Sequence, residues 1–110
     1  MATTRRNKAR LYIPSKDRHG KRVNNRQVMA EAEQLFVQCF MGCTRWQGIG
    51  TYRSEADELI QEKIAILESN ATDEALQTHL PALRAFAEKM KGDLNQEAVA
   101  LEINGVLEFV

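Results

Sequence analysis

The chain has little of what would announce its chemistry: two cysteines, two histidines, two prolines and one tryptophan in 110 residues. Cys39 and Cys43 are too few for a disulfide framework. They lack the CxxC spacing of a redox pair and have no adjacent His to complete a metal shell, so they read as buried free thiols, with no metal or cofactor expected. No apolar run approaches the roughly eighteen residues needed to cross a bilayer, which excludes a membrane span. The start, MATTRRNKAR, is basic but leads into no apolar stretch of the signal-peptide kind, so a cytoplasmic location is expected. His19 lies in a DRHG turn and His79 stands just ahead of Pro81. Neither has a neighbouring Ser or Cys in sequence, so no catalytic residue is assigned and the balance leans away from an enzyme.

Net charge is also absent, but the zero conceals a division. Residues 1–26 hold nine Lys or Arg against the single acid Asp17, a balance of +8, while the remaining 84 positions hold six bases against fourteen acids, a balance of −8. A basic segment of this kind suits a polyanion, because each cation set on a phosphate releases condensed counterions. It equally suits neutralisation within the chain or between subunits. Residues 1–10 are read as a basic N-terminal arm and 11–110 as a single α+β domain. With 44% apolar and 27% charged residues, the composition is that of one ordinary globular core.

Period and punctuation predict the elements. ARLYI places Leu11 and Ile13 on one side and Arg10 and Tyr12 on the other before Pro14 stops it, a half-buried strand. From an N-cap at Asn24 or Asn25, the positions Val28, Ala32, Leu35, Phe36, Cys39 and Phe40 recur at helical spacing, and Gly42 is placed to end the helix. Residues 43–53 and 60–68 read as a hairpin about the SEADE turn. Asn70 or Thr72 caps a second helix carrying Leu76, Leu80, Leu83, Ala87 and Met90 on one stripe; Pro81 is expected to kink or split it, and Gly92 to close it. Val99, Leu101 and Ile103 alternate up to Asn104-Gly105, the strongest hairpin signal in the chain, and Val106 to Val110 follow as a last strand. The order strand, helix, strand, strand, helix, strand plus one C-terminal strand predicts a ferredoxin-like two-layer sandwich with both helices on one face of a mainly antiparallel sheet. The other face, offering Tyr12, Trp46 and Tyr52, calls for a cover, so a homo-oligomer is expected.

The LY of the first strand, the DRHGKRV turn, FMGCT, GIGTYR, LIQEKIAIL and NQEAV together resemble a family of small bacterial proteins known only as a domain of unknown function. That resemblance covers about residues 11–110 and implies a compact α+β fold without an assigned activity. The chain departs from the family pattern in three places: it has no export signal of the kind family members often carry, Tyr52 stands where Trp is usual, and residues 71–92 make a longer helical connection.

RWQGIGTYRSEADELIQEK, residues 45–63, concentrates the distinctive side chains. Its GxG is not a dinucleotide fingerprint, because Arg53 occupies the third Gly position and no helix follows. If the hairpin turns near Ala56 and Asp57, Thr51 lies opposite Glu62 and Arg53 is its diagonal neighbour, within reach of a salt bridge. The functional reading is an Arg fork oriented by Glu62, with Gln96 and Glu97 adding polar contacts and Trp46 and Tyr52 projecting from one face. Arg45, Trp46, Tyr52, Arg53, Glu62, Gln96 and Glu97 are therefore the expected ligand-binding residues of a small oligomeric module for an anionic small molecule such as a nucleotide. The alternatives are a nucleic-acid accessory protein using residues 1–26, and a protein-interaction module acting as inhibitor or adaptor.

Overall fold

A computed structural model describes residues 3–110. In chain order the elements are β1 (Asn7–Ile13), α1 (Arg26–Phe40), β2 (Thr44–Arg53), β3 (Leu59–Ala71), α2 (Asp73–Asp93), β4 (Ala100–Ile103) and β5 (Val106–Phe109). The sheet runs β2-β3-β1-β4-β5 and every neighbouring pair is antiparallel. This is the ferredoxin-like sandwich expected from the sequence, with β5 added at one edge. Both helices pack on one face, where Ala9, Leu11 and Ile13 of β1 meet Phe36 and Phe40 of α1 and Leu83, Ala87 and Met90 of α2. The Phe36 and Phe40 rings meet edge to face at 5.8 Å, and full burial of side chains this size stabilises by roughly 1.5–3 kcal/mol each.

The stripes read from the sequence are the ones that pack, but several boundaries moved. The left-handed residue closing α1 is Met41 (φ 71°), whose N–H reaches the Val37 carbonyl at 2.8 Å, and not Gly42. Thr72 caps α2 by accepting from the Ala75 N–H at 3.1 Å. That helix passes through Pro81 unbroken to Asp93, one residue beyond the expected Gly92 stop. Leu76 and Leu80 before Pro81 and Leu83, Ala87 and Met90 after it dock on the same layer, and that packing outweighs the lost backbone hydrogen bond. The Asn104-Gly105 turn forms with both residues at positive φ, 52° and 82°, as a primed hairpin turn requires.

Residues 7–10 of the expected arm belong to β1, and three cations of the basic segment are neutralised internally. Arg6 pairs with Asp73, Lys8 and Arg10 with Glu68, and Arg10 also with Glu102. Met1 and Ala2, the start of the arm, lie outside the described residues.

Candidate functional site

The β2–β3 ribbon is longer than β1. β1 pairs only with residues 65–71 of β3, so residues 59–64 have β2 on one side and, on the other, the loop that follows β1. There Glu62, a carboxylate only 4% exposed, replaces a strand: its Oε1 accepts from the Ser15 N–H at 2.7 Å and the Lys16 N–H at 3.0 Å. Ser15 Oγ and Lys16 Nζ add bonds to the Lys63 and Gln61 carbonyls. A carboxylate in this setting is affordable because charge-assisted donors meet it.

On the open face of the sheet, Glu62 forms part of the wall of a cavity of about 410 Å³, together with Tyr12, Tyr52, Ile64, Glu97 and Phe109 among others. The open face is set by register: Gly50 opposes Glu62 and Tyr52 opposes Ile60, one residue away from the expected pairing of Thr51 with Glu62. In a strand a shift of one residue exchanges faces. Glu62 therefore shares its face with Tyr52, and Arg53 turns instead to Asp57, 3.1 Å away in the turn. The expected Arg53–Glu62 fork is not formed. Gly50 makes room for Ile64, whose Cδ1 would clash with a Cβ there, so this glycine serves close packing, whereas a Cβ at Gly48 would make only an ordinary 4.0 Å contact with Ile66.

Five of the seven expected site residues, Tyr52, Arg53, Glu62, Gln96 and Glu97, line this cavity. Two do not. Arg45 points to the helix layer and pairs with Glu33 of α1 at 2.7 Å. Trp46 does share the open face with Tyr52 but stands six residues along β2, roughly 20 Å away at strand rise. Gln96 is a brace: its Nε2 donates to the Lys16 carbonyl at 2.7 Å and the Leu94 carbonyl at 2.9 Å. Glu97 accepts from the Glu55 N–H at 3.1 Å, tying the ribbon's turn to the α2–β4 connection. His79 packs edge to face on Phe40, 6.2 Å between centroids, and His19 lies exposed in its loop.

The cavity is aromatic and acidic. The Tyr52 phenol is pushed above its ordinary range by burial, and further by the carboxylates of Glu62, Glu97 and Asp17. Tyr12 is raised by burial first and then by its 2.7 Å hydrogen bond to Glu102, to which its O–H donates. Both phenols are therefore neutral at physiological pH, and Tyr12 turns its lone pairs away from Glu102. Tyr12 and Phe109 line the cavity beyond the residues expected from the sequence; the ARLYI alternation puts Tyr12 on the open face, but nothing in the sequence places β5 beside it.

No family model matches the chain, and no curated protein matches it. Two solved structures share its architecture. One is a phage SAM lyase in complex with S-methyl-5'-thioadenosine, with TM-score 0.74 and 13% identity, covering 100% of this chain and 92% of that one. The other is a phage SAM lyase in the apo state, with TM-score 0.66 and 15% identity, covering 98% and 91%. At such identities the likeness is one of fold. No described helix is long and apolar enough to cross a membrane.

Proposed function

We propose that the open-face cavity binds a small adenosine-bearing sulfonium of the S-adenosylmethionine class, and that the chain assembles into a homo-oligomer around it. The carrying observation is the pairing of aromatic walls with carboxylates: Tyr12 and Tyr52 flank Glu62 and Glu97, while the one lining cation, Arg53, is already matched to Asp57. This balance favours a cation over the anionic ligand expected from the sequence, since a ligand anion would face two carboxylates across a partly desolvated gap. A sulfonium beside tyrosine faces and carboxylates gains cation–π and charge attraction together. The shared fold with a lyase that carries S-methyl-5'-thioadenosine supports the choice of ligand class.

A cleavage step fits the same walls. When the bond between sulfur and the aminobutyrate side chain breaks, the bonding pair stays on sulfur, and S-methyl-5'-thioadenosine leaves as a neutral thioether. The ligand's own carboxylate oxygen takes the vacated carbon, closing a lactone without a co-reactant. Positive charge on sulfur is lost in that step, so the apolar side of the cavity, Ile64, Val99 and Phe109, favours it relative to water.

Calorimetric titration tests the reading. S-adenosylmethionine and S-methyl-5'-thioadenosine should bind, adenosine monophosphate should not, and Glu62→Gln should weaken the sulfonium by roughly tenfold or more, the worth of one charged contact. Chromatography of the titrated mixture reports any thioether released. Preference for the nucleotide, or equal affinity in Glu62→Gln, rules out this assignment.

A further inference from the structure

A second cavity, of about 430 Å³, lies between the loop that follows β1 and the β2–β3 ribbon, lined by Lys16, Arg22 and Lys63 with Ser15, Gln61 and Ile49 among others. Apart from the shared Glu62, its lining from the ribbon is Ile49, Gln61 and Lys63, on the face of the strands opposite to the one that turns Tyr52 and Ile64 into the first cavity. Glu62 is reached from both.

Local geometry forces the cations together. Asp17 knots the loop: its Oδ1 accepts from the His19 N–H at 2.8 Å and the Lys21 N–H at 3.0 Å, and Gly20 supplies a φ of 79°. The knot makes Lys16 and Arg22 antiparallel bridge partners, which sets two like charges side by side on one face. Lys63 lines the same cleft. Among the described residues none of these three cations has a salt-bridge partner, whereas Arg6, Lys8 and Arg10 of the same basic segment all do. The one carboxylate in the wall, Glu62, is already held by two backbone N–H groups. Like charges opposite one another destabilise a pair, and among the described residues the only acid lining the cleft is Glu62, one carboxylate against three cations.

We propose that this cleft binds a small phosphorylated anion, whose oxygens take the Arg22 guanidinium and the Lys16 and Lys63 ammonium groups while Ile49 and Val23 receive an apolar part. Arg22 supplies the planar fork that suits phosphate, and Lys16 keeps N–H donors to spare after its single bond to the Gln61 carbonyl. The volume and the three converging cations suit a compact oligophosphate group, not an extended polyanion track. The assignment does not depend on the sulfonium reading of the other cavity.

Tripolyphosphate is the probe, titrated into the full chain at constant ionic strength with the melting temperature as readout. A saturable rise in Tm is expected. Arg22→Ala and Lys63→Ala should each weaken the apparent affinity by roughly tenfold, and Arg22→Glu should abolish it. Both side chains are exposed, so the variants should keep the unliganded Tm close to that of the parent. The response to S-methyl-5'-thioadenosine, measured in parallel, should be the same in parent and variants, which separates failure of this site from failure of the other. A tripolyphosphate shift that survives in Arg22→Ala/Lys63→Ala, no shift at all, or binding of a single-stranded oligonucleotide but not of tripolyphosphate would each overturn the proposal.

Discussion

Tyr52 and Tyr12 are the two tyrosines of the chain, so their ionisation can be followed without interference. Each is held above the ordinary phenol value near 10, first by burial and then by carboxylates. In an ultraviolet titration of the native protein both should ionise later than in the unfolded chain, and Glu97→Gln should bring Tyr52 back down. The sign for stability follows from the raised folded value. Below about pH 10 both states hold the phenol proton; as pH climbs from the unfolded toward the folded value, only the unfolded state gives it up, so stability is lost over that window. A native titration superimposable on the denatured one would remove the acidic surroundings on which the sulfonium reading depends. The opposite shift occurs at Asp17, whose carboxyl sits below the usual range chiefly because the backbone at Lys21 donates to it. It contributes stability above the ordinary carboxylate range, lost as the solution is acidified through the lowered value.

Among the elements, the β2–β3 ribbon carries the most consequence, because its inner edge past Ile64 is held by side chains in place of a strand. Replacing Glu62 by Gln keeps the shape but removes the charge from two hydrogen bonds. Amide exchange at Ser15 and Lys16 should accelerate by roughly tenfold in Glu62→Gln, while exchange at Leu11 and Leu67 within the paired sheet stays as it was. Equal rates at Ser15 and Lys16 in both proteins would mean that the carboxylate does not hold the loop. The elements themselves were legible because their signals are local: the α1 stripe from Val28 to Phe40, the Thr72 cap and the Asn104-Gly105 turn each lie within a few positions of what they specify. Register was not legible. The SEADE segment allows a turn centred on Ala56 or between Ala56 and Asp57, and Asp57 at φ 62° settles on the former. That half-residue difference separated Arg53 from Glu62 and joined Glu62 to Tyr52. Arg45 was misplaced for a related reason, since its partner Glu33 lies on another element and sequence spacing is silent about it.

Across the whole molecule, the face away from the helices carries Trp46, Leu107 and Phe109, 51%, 47% and 71% exposed. Phe109 is both a wall of the open-face cavity and the most exposed of the three, so a second copy seated there would close the cavity as it covers the patch. Native mass spectrometry should find a closed oligomer, and Phe109→Glu should shift it toward monomer while weakening S-methyl-5'-thioadenosine; a monomer at all concentrations would end that part of the reading. The segregation of charge along the sequence is partly relieved by folding, since Arg6 meets an acid of α2 and the cations of β1 meet acids of β3 and β4. What survives is segregation through the sheet. Ligands of opposite sign, each in its own hollow, would lie like the plates of a capacitor on the two faces of one sheet, with the Glu62 carboxylate in the dielectric. Filling either plate would draw charge to the other, and by thermodynamic reciprocity each occupant would tighten its counterpart to the same degree.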